Sequence, residues 1–362
     1  MNLSAAFRDP QLARGQIAAL HRTVANHPGT MTLMEVCGTH TMAICQHGIR
    51  ALLPASIRLI SGPGCPVCVT PVGYVDHAVA LARRPGTIIA TFGDMVRVPG
   101  STSSLSREQA GGATVRIVYS PLDAVALAEK HPDQAVAFLG VGFETTAPTI
   151  AGAIVTARRQ GVRNFFVLCA HKTIPGPMAV LADDPKLKVD GYLCPAHVSA
   201  IIGAEAYRSL AEKLHVPCVI TGFEPLDILQ GVLMLAGQIV AGEARVENQY
   251  RRVVQPQGNR KAQALLAEVF EPCDAAWRGI GTIPGSGLKL RPEFAAFDAA
   301  AQLPVTVEPP REHAGCRCGE ILKGKARPAD CPLFRTVCTP EEPVGACMVS
   351  SEGTCSAEYK YG

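Results

Sequence analysis

The sequence predicts an α/β protein made of two parallel-sheet units and a third, cysteine-rich region. Short apolar runs, often β-branched, alternate with helical patterns between Thr32 and Phe223. After Gly242 the strand pattern fades, and six of the fourteen cysteines lie between Cys316 and Cys355. Alternation at this spacing is typical of βαβ units, whose parallel sheets are covered on both faces.

Eight apolar runs, each ending in glycine, proline or a polar residue, have the length of buried strands. The predicted strands are Thr32–Gly38, Ile57–Gly62, Thr87–Gly93, Thr114–Ser120, Ala135–Gly142, Asn164–Ala170, Gly191–Ala196 and Pro217–Phe223. The predicted helices are PVGYVDHAVALARR, PLDAVALAEKH, APTIAGAIVTARRQG, EPLDILQGVLMLAGQIVAG and Asn259–Phe270, whereas GIGTIPGSGLKLRPEF is expected to be an irregular connection.

These elements suggest two Rossmann-like units. We expect one at residues 31–133 and a second at residues 134–243, which begins near the turn GFETTAP. Residues 1–30 and 244–362 then form the third region.

Composition narrows the class of protein. The net charge is +3 without long basic runs, and 5% of the residues are aromatic. This composition does not indicate a surface that binds nucleic acid. No apolar run reaches the roughly 18 residues of a membrane helix, and the start MNLSAAFRDP lacks the apolar segment of a signal peptide. We therefore expect a cytoplasmic protein, in which cysteines serve metal or redox chemistry more often than structural disulfides.

Reactive side chains follow the predicted strands, at the edge where parallel sheets bind ligands. A single cysteine in such a place is more often a small buried hydrophobe, but the repetition indicates a cleft built for chemistry. The residues are Cys37, His40, Cys65, Cys68, Asp94, Glu144, His171, Lys172, His197 and Glu224.

The stretch GPGCPVCVTP holds a dithiol, Cys65 and Cys68. Thr70 and Pro71 resemble an N-cap and first helical residue, which would place both thiols before a helix N-terminus and lower their pKa. A proline between the cysteines suits reversible disulfide formation, so a redox dithiol is favoured over a metal ligand or inert packing.

Cys37 lies in MEVCGTHTM, with His40 three residues further on and Gly38 allowing close backbone approach. The pair fits a nucleophile with its base, or a soft metal ligand with a proton donor beside it. These residues alone leave both alternatives open. Cys45 has no comparable loop and is assigned to packing.

The tail supplies a four-thiolate set, which can be chosen as Cys316, Cys331, Cys338 and Cys355. Cys318 and Cys347 are spare thiols that could replace a member of this set. Four thiolates suit either a cubane iron–sulfur cluster or zinc, although zinc ribbons usually present ligands in close pairs.

The chain resembles the hydrogenase maturation factor HypD family. The resemblance rests on MEVCGTHT, GPGCPVC, GFETTAP, PAHVSAIIG and CTPEEPVGACMVSSEGTCSAEYKY, and it extends from about Met31 to the C-terminus. It implies two α/β domains with a [4Fe–4S] region, acting as a scaffold for the Fe(CN)₂CO group of [NiFe] hydrogenases. The implied partners are a small HypC-type chaperone and a HypE-type cyanide carrier, with this chain a monomer in the hetero-complex.

The resemblance also implies roles for individual residues. Cys37 would hold the iron together with a cysteine from the chaperone, assisted by His40. Cys65 and Cys68 would exchange electrons with a cluster on the tail quartet. The remaining residues of the same cleft would be Asp94, Glu144 and His197.

Two other functional classes stay open at this stage. One is a thiol–disulfide oxidoreductase in which a cluster feeds Cys65 and Cys68. The other is a non-catalytic assembly protein whose tail is a zinc module. No nucleotide is assigned, because no G-x-G-x-x-G stands between a strand and a helix.

Overall fold

The computed structural model of the chain describes residues 5–362, so residues 1–4 of the predicted third region lie outside the described residues. Its strands are β1 (Met31–Glu35), β2 (Ile57–Ser61), β3 (Thr87–Thr91), β4 (Thr114–Ile117), β5 (Ala135–Gly140), β6 (Phe165–Cys169), β7 (Gly191–Pro195), β8 (Cys218–Thr221), β9 (Val246–Asn248), β10 (Phe270–Trp277) and β11 (Gly281–Leu290).

The α-helices lie between and after these strands. They are α1 (Pro10–Val24), α2 (Gly38–Gln46), α3 (Ile49–Leu52), α4 (Pro66–Val69), α5 (Val72–Arg83), α6 (Gly93–Arg97), α7 (Leu105–Ala110), α8 (Pro121–Lys130), α9 (Ala147–Gln160), α10 (Pro175–Ala182), α11 (Ala196–Ile202), α12 (Arg208–Leu214), α13 (Pro225–Ala241), α14 (Arg260–Val269), α15 (Ala299–Gln302), α16 (Cys318–Leu322) and α17 (Thr354–Tyr361). None of the helices within residues 5–362 is both long and apolar enough to span a bilayer.

Two parallel sheets form the framework. The five-stranded sheet has the order β2-β1-β7-β8-β9, and the four-stranded sheet has the order β4-β3-β5-β6. Every pairing within them is parallel. Strands β3 and β7 are buried along their whole length, because helices cover both faces of the sheets.

The predicted unit boundaries do not coincide with these sheets. The range 31–133 contains β1 and β2 of one sheet together with β3 and β4 of the other, and the range 134–243 divides in the same way. The chain makes β1 and β2, builds the whole four-stranded sheet, and returns with β7 to pair beside β1. Apolar runs identify strands, but they do not encode which strands pair, so sequence order gave the wrong grouping.

All eight predicted strands are present, each shorter by one to three residues, and the five predicted helices are present as α5, α8, α9, α13 and α14. The expectation for GIGTIPGSGLKLRPEF is wrong, because most of it is β11, which pairs antiparallel with β10. Proline and glycine within β11 hid the strand pattern. The short β9, inside the predicted third region, extends the five-stranded sheet.

One large core joins the facing layers of the two sheets. It includes Met34 of β1, Leu139 of β5 and Tyr192 of β7, together with Trp277 from the β10–β11 hairpin. The same core reaches into the tail through Cys318 and other buried cysteines. The C-terminal region is therefore packed onto both sheets.

Candidate functional site

The five-stranded sheet has a crevice where its connections diverge. β1 continues to β2 on one side, whereas β7 continues to β8 on the other. In open parallel sheets, ligands bind at the carboxyl ends of strands at such a switch point. Cys37 follows β1, and His197 follows β7 in the first turn of α11. The topology therefore places these two residues at the crevice.

Cys37 is the N-cap of α2 and is only 7% exposed. Its N–H donates to Oε2 of Glu35 at 3.0 Å. Burial raises the pKa of the Cys37 thiol to about 12, and the carboxyls of Glu352 and Glu35 add to this rise. The backbone N–H groups of His40 and Thr39 oppose it. The site thus favours a protonated thiol until a cation replaces the proton.

The tail reaches this loop through Glu352. The Thr39 hydroxyl donates to Oε1 of Glu352 at 2.6 Å. A Cβ on Gly38 would lie 2.4 Å from Cβ of Glu352, so only glycine fits between the two segments. The Cys37 loop and the cysteine-rich tail are therefore in direct contact.

His40 is fully buried in the first turn of α2. Its Nε2 lies 3.0 Å from the carbonyl oxygen of Thr221 and 2.9 Å from that of Gly222. Burial lowers the pKa of His40 to about 4, so the ring is neutral at physiological pH. Among the described residues, Nδ1 has no hydrogen-bond partner.

Phe223 lies between two histidine rings. Its ring centroid is 4.8 Å from that of His40 and 4.0 Å from that of His197, which is exposed. The part of the His197 ring that packs against its neighbours is desolvated, which lowers the pKa of His197, and the Glu352 carboxyl opposes this. Three predicted residues, Cys37, His40 and His197, thus lie around one crevice.

The dithiol loop contacts the Cys37 loop. Gly38 N–H donates to the carbonyl oxygen of Gly64 at 3.0 Å, and a Cβ on Gly64 would lie 2.1 Å from the Cys37 nitrogen. The expected cap at Thr70 is wrong: Pro71 caps α5, whereas Cys65 caps the short α4 that contains Cys68.

The two sulfur atoms of the dithiol are 2.6 Å apart, and Cys65 Sγ accepts from the Cys68 N–H at 3.3 Å. The predicted fall in the pKa of Cys68 is also wrong, since burial raises it well above its usual range. Cys68 is fully buried, so desolvation of the thiolate outweighs the N–H groups of a one-turn helix.

All six tail cysteines line one small cavity, together with apolar side chains such as Ile321, Leu333 and Phe334. The cysteines are Cys316, Cys318, Cys331, Cys338, Cys347 and Cys355. The fold therefore gathers thiols that are scattered along the tail.

One of these six thiols, Cys347, also reaches the dithiol. The sulfur atoms of Cys318 and Cys347 are 2.7 Å apart, and Cys347 is in hydrogen-bonding contact with Cys68. Cys68 Sγ further lies 3.9 Å from the Ala346 carbonyl oxygen. A continuous path of sulfur atoms thus runs from the tail cavity to the dithiol.

Asp94 and Glu144 follow β3 and β5, at the corresponding crevice of the four-stranded sheet. Asp94 is exposed. Glu144 is buried, and burial raises its pKa to about 7. The Ile174 N–H donates to Oε1 of Glu144 at 3.0 Å, which opposes this rise. No hydrogen bond of the described residues joins either carboxyl to the Cys37 loop, and their place in its cleft stays a prediction.

The other strand-end residues have structural partners. Glu224 forms an ion pair with Arg8. His171 packs on Phe270, with 5.1 Å between ring centroids, and Lys172 lies over the Trp277 ring at 5.6 Å. Cys45 accepts a hydrogen bond from Arg50 at 3.2 Å.

Two site residues were not among the sequence candidates. Glu35 is fully buried inside β1, where a lone carboxylate in a strand of apolar residues was the available signal. Glu352 lies in SSEGTC, far along the chain from Cys37. Only the folded tail brings it to the crevice.

The fold and the site define a thiol-rich α/β protein in which a cysteine-lined tail is packed against two reactive loops. A family model described as "HypD: Hydrogenase formation hypA family" matches residues 11–362. The chain therefore belongs to the HypD family of hydrogenase maturation factors.

Curated relatives agree over nearly the whole length. The chain is 46% identical to "Hydrogenase maturation factor HypD" of Rhizobium leguminosarum bv. viciae, over 98% of this chain and 94% of that protein. The proteins of the same name in Azotobacter vinelandii and Escherichia coli K12 are each 48% identical to this chain. The alignment with the Azotobacter protein covers 98% of this chain and 96% of that protein. The alignment with the Escherichia coli protein covers 91% of this chain and 89% of that protein. A crystal structure of 2,3-dimethylmalate lyase matches at 12% identity with a TM-score of 0.17, which is too low to indicate a shared fold.

Proposed function

We propose that this maturation factor is the scaffold on which the Fe(CN)₂CO group of [NiFe] hydrogenases is assembled. It would act in the reducing cytoplasm with a small HypC-type chaperone and a HypE-type cyanide carrier. The observation that carries the proposal is the meeting of three segments: the Cys37 loop contacts both the Gly64 loop and Glu352 of the tail. A thiol anchor, a dithiol and a cysteine-lined cavity are thereby adjacent.

Cys37 suits the role of anchor for the iron, which is cargo rather than a resident metal. A buried thiolate is a soft ligand, well matched to low-spin iron that carries cyanide and carbon monoxide. Because the pKa of Cys37 is raised to about 12, the free thiol is protonated and resists oxidation and alkylation. Binding of iron would release this proton, and His40 and His197 lie at the same crevice.

Four of the tail thiols would hold a [4Fe–4S] cluster, which would supply single electrons when bound. A structural zinc site takes four ligands, which usually come in C-x₂₋₄-C pairs. The six tail cysteines contain no pair with that spacing, yet all six line one small cavity with apolar walls. This donor set supports an iron–sulfur cluster over a zinc module.

We assign the four ligands to Cys316, Cys331, Cys338 and Cys355. Cys318 and Cys347 contact each other, and Cys347 also contacts Cys68, so these two lie toward the dithiol. Their sulfur atoms would connect the cluster with Cys65 and Cys68, which agrees with electron exchange between the two sites.

The experiment is an infrared and metal analysis of the protein isolated without oxygen together with its chaperone partner. We expect cyanide and carbonyl stretching bands, with iron and sulfide bound. In Cys37→Ala the bands should disappear while the visible absorbance of the cluster remains. Cys45→Ala, a cysteine on α2 with no role in the site, is the matched control and should keep both signals.

The outcomes separate the three classes of function. Unchanged bands in Cys37→Ala would remove Cys37 from its role. A cluster without any such bands would favour the thiol–disulfide oxidoreductase, and equimolar zinc without a brown chromophore would favour the non-catalytic assembly protein.

The ligand assignment has its own test. Cys331→Ser should lose most of the bound iron and sulfide, whereas the double variant Cys318→Ser with Cys347→Ser should retain them. Loss of the cluster in the double variant, with retention in Cys331→Ser, would reverse the assignment.

A further inference from the structure

A chain of directional hydrogen bonds leads to His40 from the first turn of α13 and the segment after β9. It starts at Asp227 in the first turn of α13, which is 1% exposed. Arg252 donates to both oxygens of this carboxylate, at 3.1 Å and 2.5 Å. The guanidinium also lies 3.9 Å from the centroid of the Tyr250 ring, which keeps it in place. The Asp227 carboxyl is thus held in place as the acceptor of a guanidinium.

Gln249 forms the next link. Its Nε2 donates to Oδ1 of Asp227 at 2.8 Å, and its Oε1 accepts from the Gly222 N–H at 3.1 Å. Because a carboxylate can only accept, the amide has one possible orientation, with its oxygen toward Gly222. We call Asp227, Gln249 and Arg252 the Asp227 relay.

The relay sets the direction of one peptide group. The Gly222 N–H and the Thr221 carbonyl belong to the same trans peptide unit, so they point in opposite directions. With the N–H held by Gln249, the Thr221 oxygen points the other way and lies 3.0 Å from Nε2 of His40. A Cβ on Gly222 would lie 2.3 Å from Oδ2 of Asp227, so the relay also packs directly against this backbone.

The direction of these hydrogen bonds fixes the tautomer of His40. Both groups facing Nε2 are carbonyl oxygens, which cannot donate, so Nε2 carries the proton. Nδ1 is buried and has no acceptor among the described residues, so a proton there would be an unpaired buried donor. The remaining lone pair of the ring is therefore on Nδ1.

We propose that the Asp227 relay positions His40 as its Nε2–H tautomer, so that the bare Nδ1 accepts a hydrogen bond from a protic ligand bound at Cys37. Side chains of a helix lean toward its N-terminus, which in α2 is Cys37. The acceptor role rests on the proposed function, whereas the tautomer and its control by the relay do not.

The test is ¹⁵N NMR of the full-length protein labelled at histidine, with His40 assigned by loss of its signals in His40→Gln. In the wild type we expect Nε2 in the protonated range and Nδ1 in the unprotonated range. Gln249→Met frees the 221–222 peptide to turn its N–H toward the ring, so the Nδ1 resonance should shift toward the protonated range. Asp227→Asn should do the same, because its amide no longer fixes the orientation of Gln249.

Gln238→Met is the matched control. Gln238 is a buried glutamine on α13 that bridges Glu247 and the Arg245 N–H, and it does not touch the relay. Its loss should leave the His40 shifts unchanged, which separates positioning from general destabilisation.

The proposal is overturned if wild-type His40 carries its proton on Nδ1, or if folded Gln249→Met and Asp227→Asn both keep the wild-type shifts. Should both variants fail to fold, the wild-type spectrum alone decides the proposal, since a proton on Nδ1 of His40 would overturn it. Failure of the infrared experiment on Cys37 would leave these shifts unaffected, so the two proposals fail independently.

Discussion

Lys172 is an unusual residue for its position, because its side chain is charged and only 3% exposed. Its ammonium lies 3.5 Å from the Ala170 carbonyl oxygen and 5.6 Å from the Trp277 ring centroid. No carboxylate among the described residues forms an ion pair with it. Burial therefore lowers the pKa of Lys172 to about 8.

This lowered pKa predicts a pH-dependent loss of stability. Between pH 8 and 10.5 the unfolded state binds more protons than the native state, so the contribution of Lys172 to the free energy of unfolding rises with pH. The penalty is fully present below pH 8 and amounts to about 3 kcal/mol. Lys172→Met should remove it, so wild type should gain about 2 kcal/mol relative to the variant between pH 7 and 10.

Denaturant unfolding at the two pH values measures this difference. Lys289→Met, an exposed lysine on β11, is the control and should follow the wild type. Buried cysteines titrate in the same range with opposite sign, but they do so equally in all three proteins. Parallel pH profiles for wild type and Lys172→Met would contradict the prediction.

Residue types at strand ends were enough to predict that Cys37, His40 and His197 meet. Their protonation was not predictable, since the raised pKa of Cys37 depends on Glu352 and on burial by segments far along the chain. The sequence likewise suggested thiolates at a helix N-terminus for the dithiol, whereas Cys68 is fully desolvated. Local sequence thus predicts which groups gather, and packing decides their charge.

At the scale of elements, the loops after β1 and β2 touch along glycine backbone. A Cβ at position 64 would lie 2.1 Å from the Cys37 nitrogen and 2.4 Å from its Cα. These distances are too short for any side chain at position 64. Backbone cannot move aside as a flexible side chain can, so Gly64→Ala must separate the two loops.

We predict that Gly64→Ala lowers the free energy of unfolding by about 2 kcal/mol or more, as overpacking does elsewhere. It should also increase the alkylation rate of Cys37 several-fold. Gly152→Ala is the control: this glycine lies within α9, and an added Cβ would meet only Leu265 at 3.8 Å. That change should be neutral or stabilising by up to about 1 kcal/mol. Equal unfolding midpoints for both variants would show that the loops are not in contact.

Strands were predictable where the apolar run was continuous and bounded by glycine or proline, as in β3 and β5. The β10–β11 hairpin was not predicted because Pro272, Pro284 and several glycines interrupt its apolar pattern. A bulge near Cys273 also breaks the alternation of its side chains. β9 has only three residues, too few to show any period. These segments thus form strands because they pair with other strands, although their own sequences indicate a strand only weakly.

At the scale of the whole molecule, the two sheets are interleaved along the chain. β1, the strand that carries Cys37, pairs with β2 on one side and with β7 on the other. The whole four-stranded sheet lies between β2 and β7 in sequence. The central pairing of the site therefore closes a loop of more than a hundred residues, a non-local contact that local patterns cannot encode.

This interleaving predicts that a fragment of residues 1–133 does not fold, although it matches a boundary that strand spacing suggested. Within it, β1 lacks β7, and β3 lacks β5, so two buried strands would each expose an unpaired edge and an apolar face. The fragment should show little dispersion in its amide NMR spectrum and no cooperative thermal transition, whereas residues 5–362 should show both. A dispersed spectrum with a cooperative transition for 1–133 would mean that β1 to β4 can form a sheet without their partners. In that case the Cys37 crevice could form before β7 is available, and the dependence of the site on the completed five-stranded sheet would not hold.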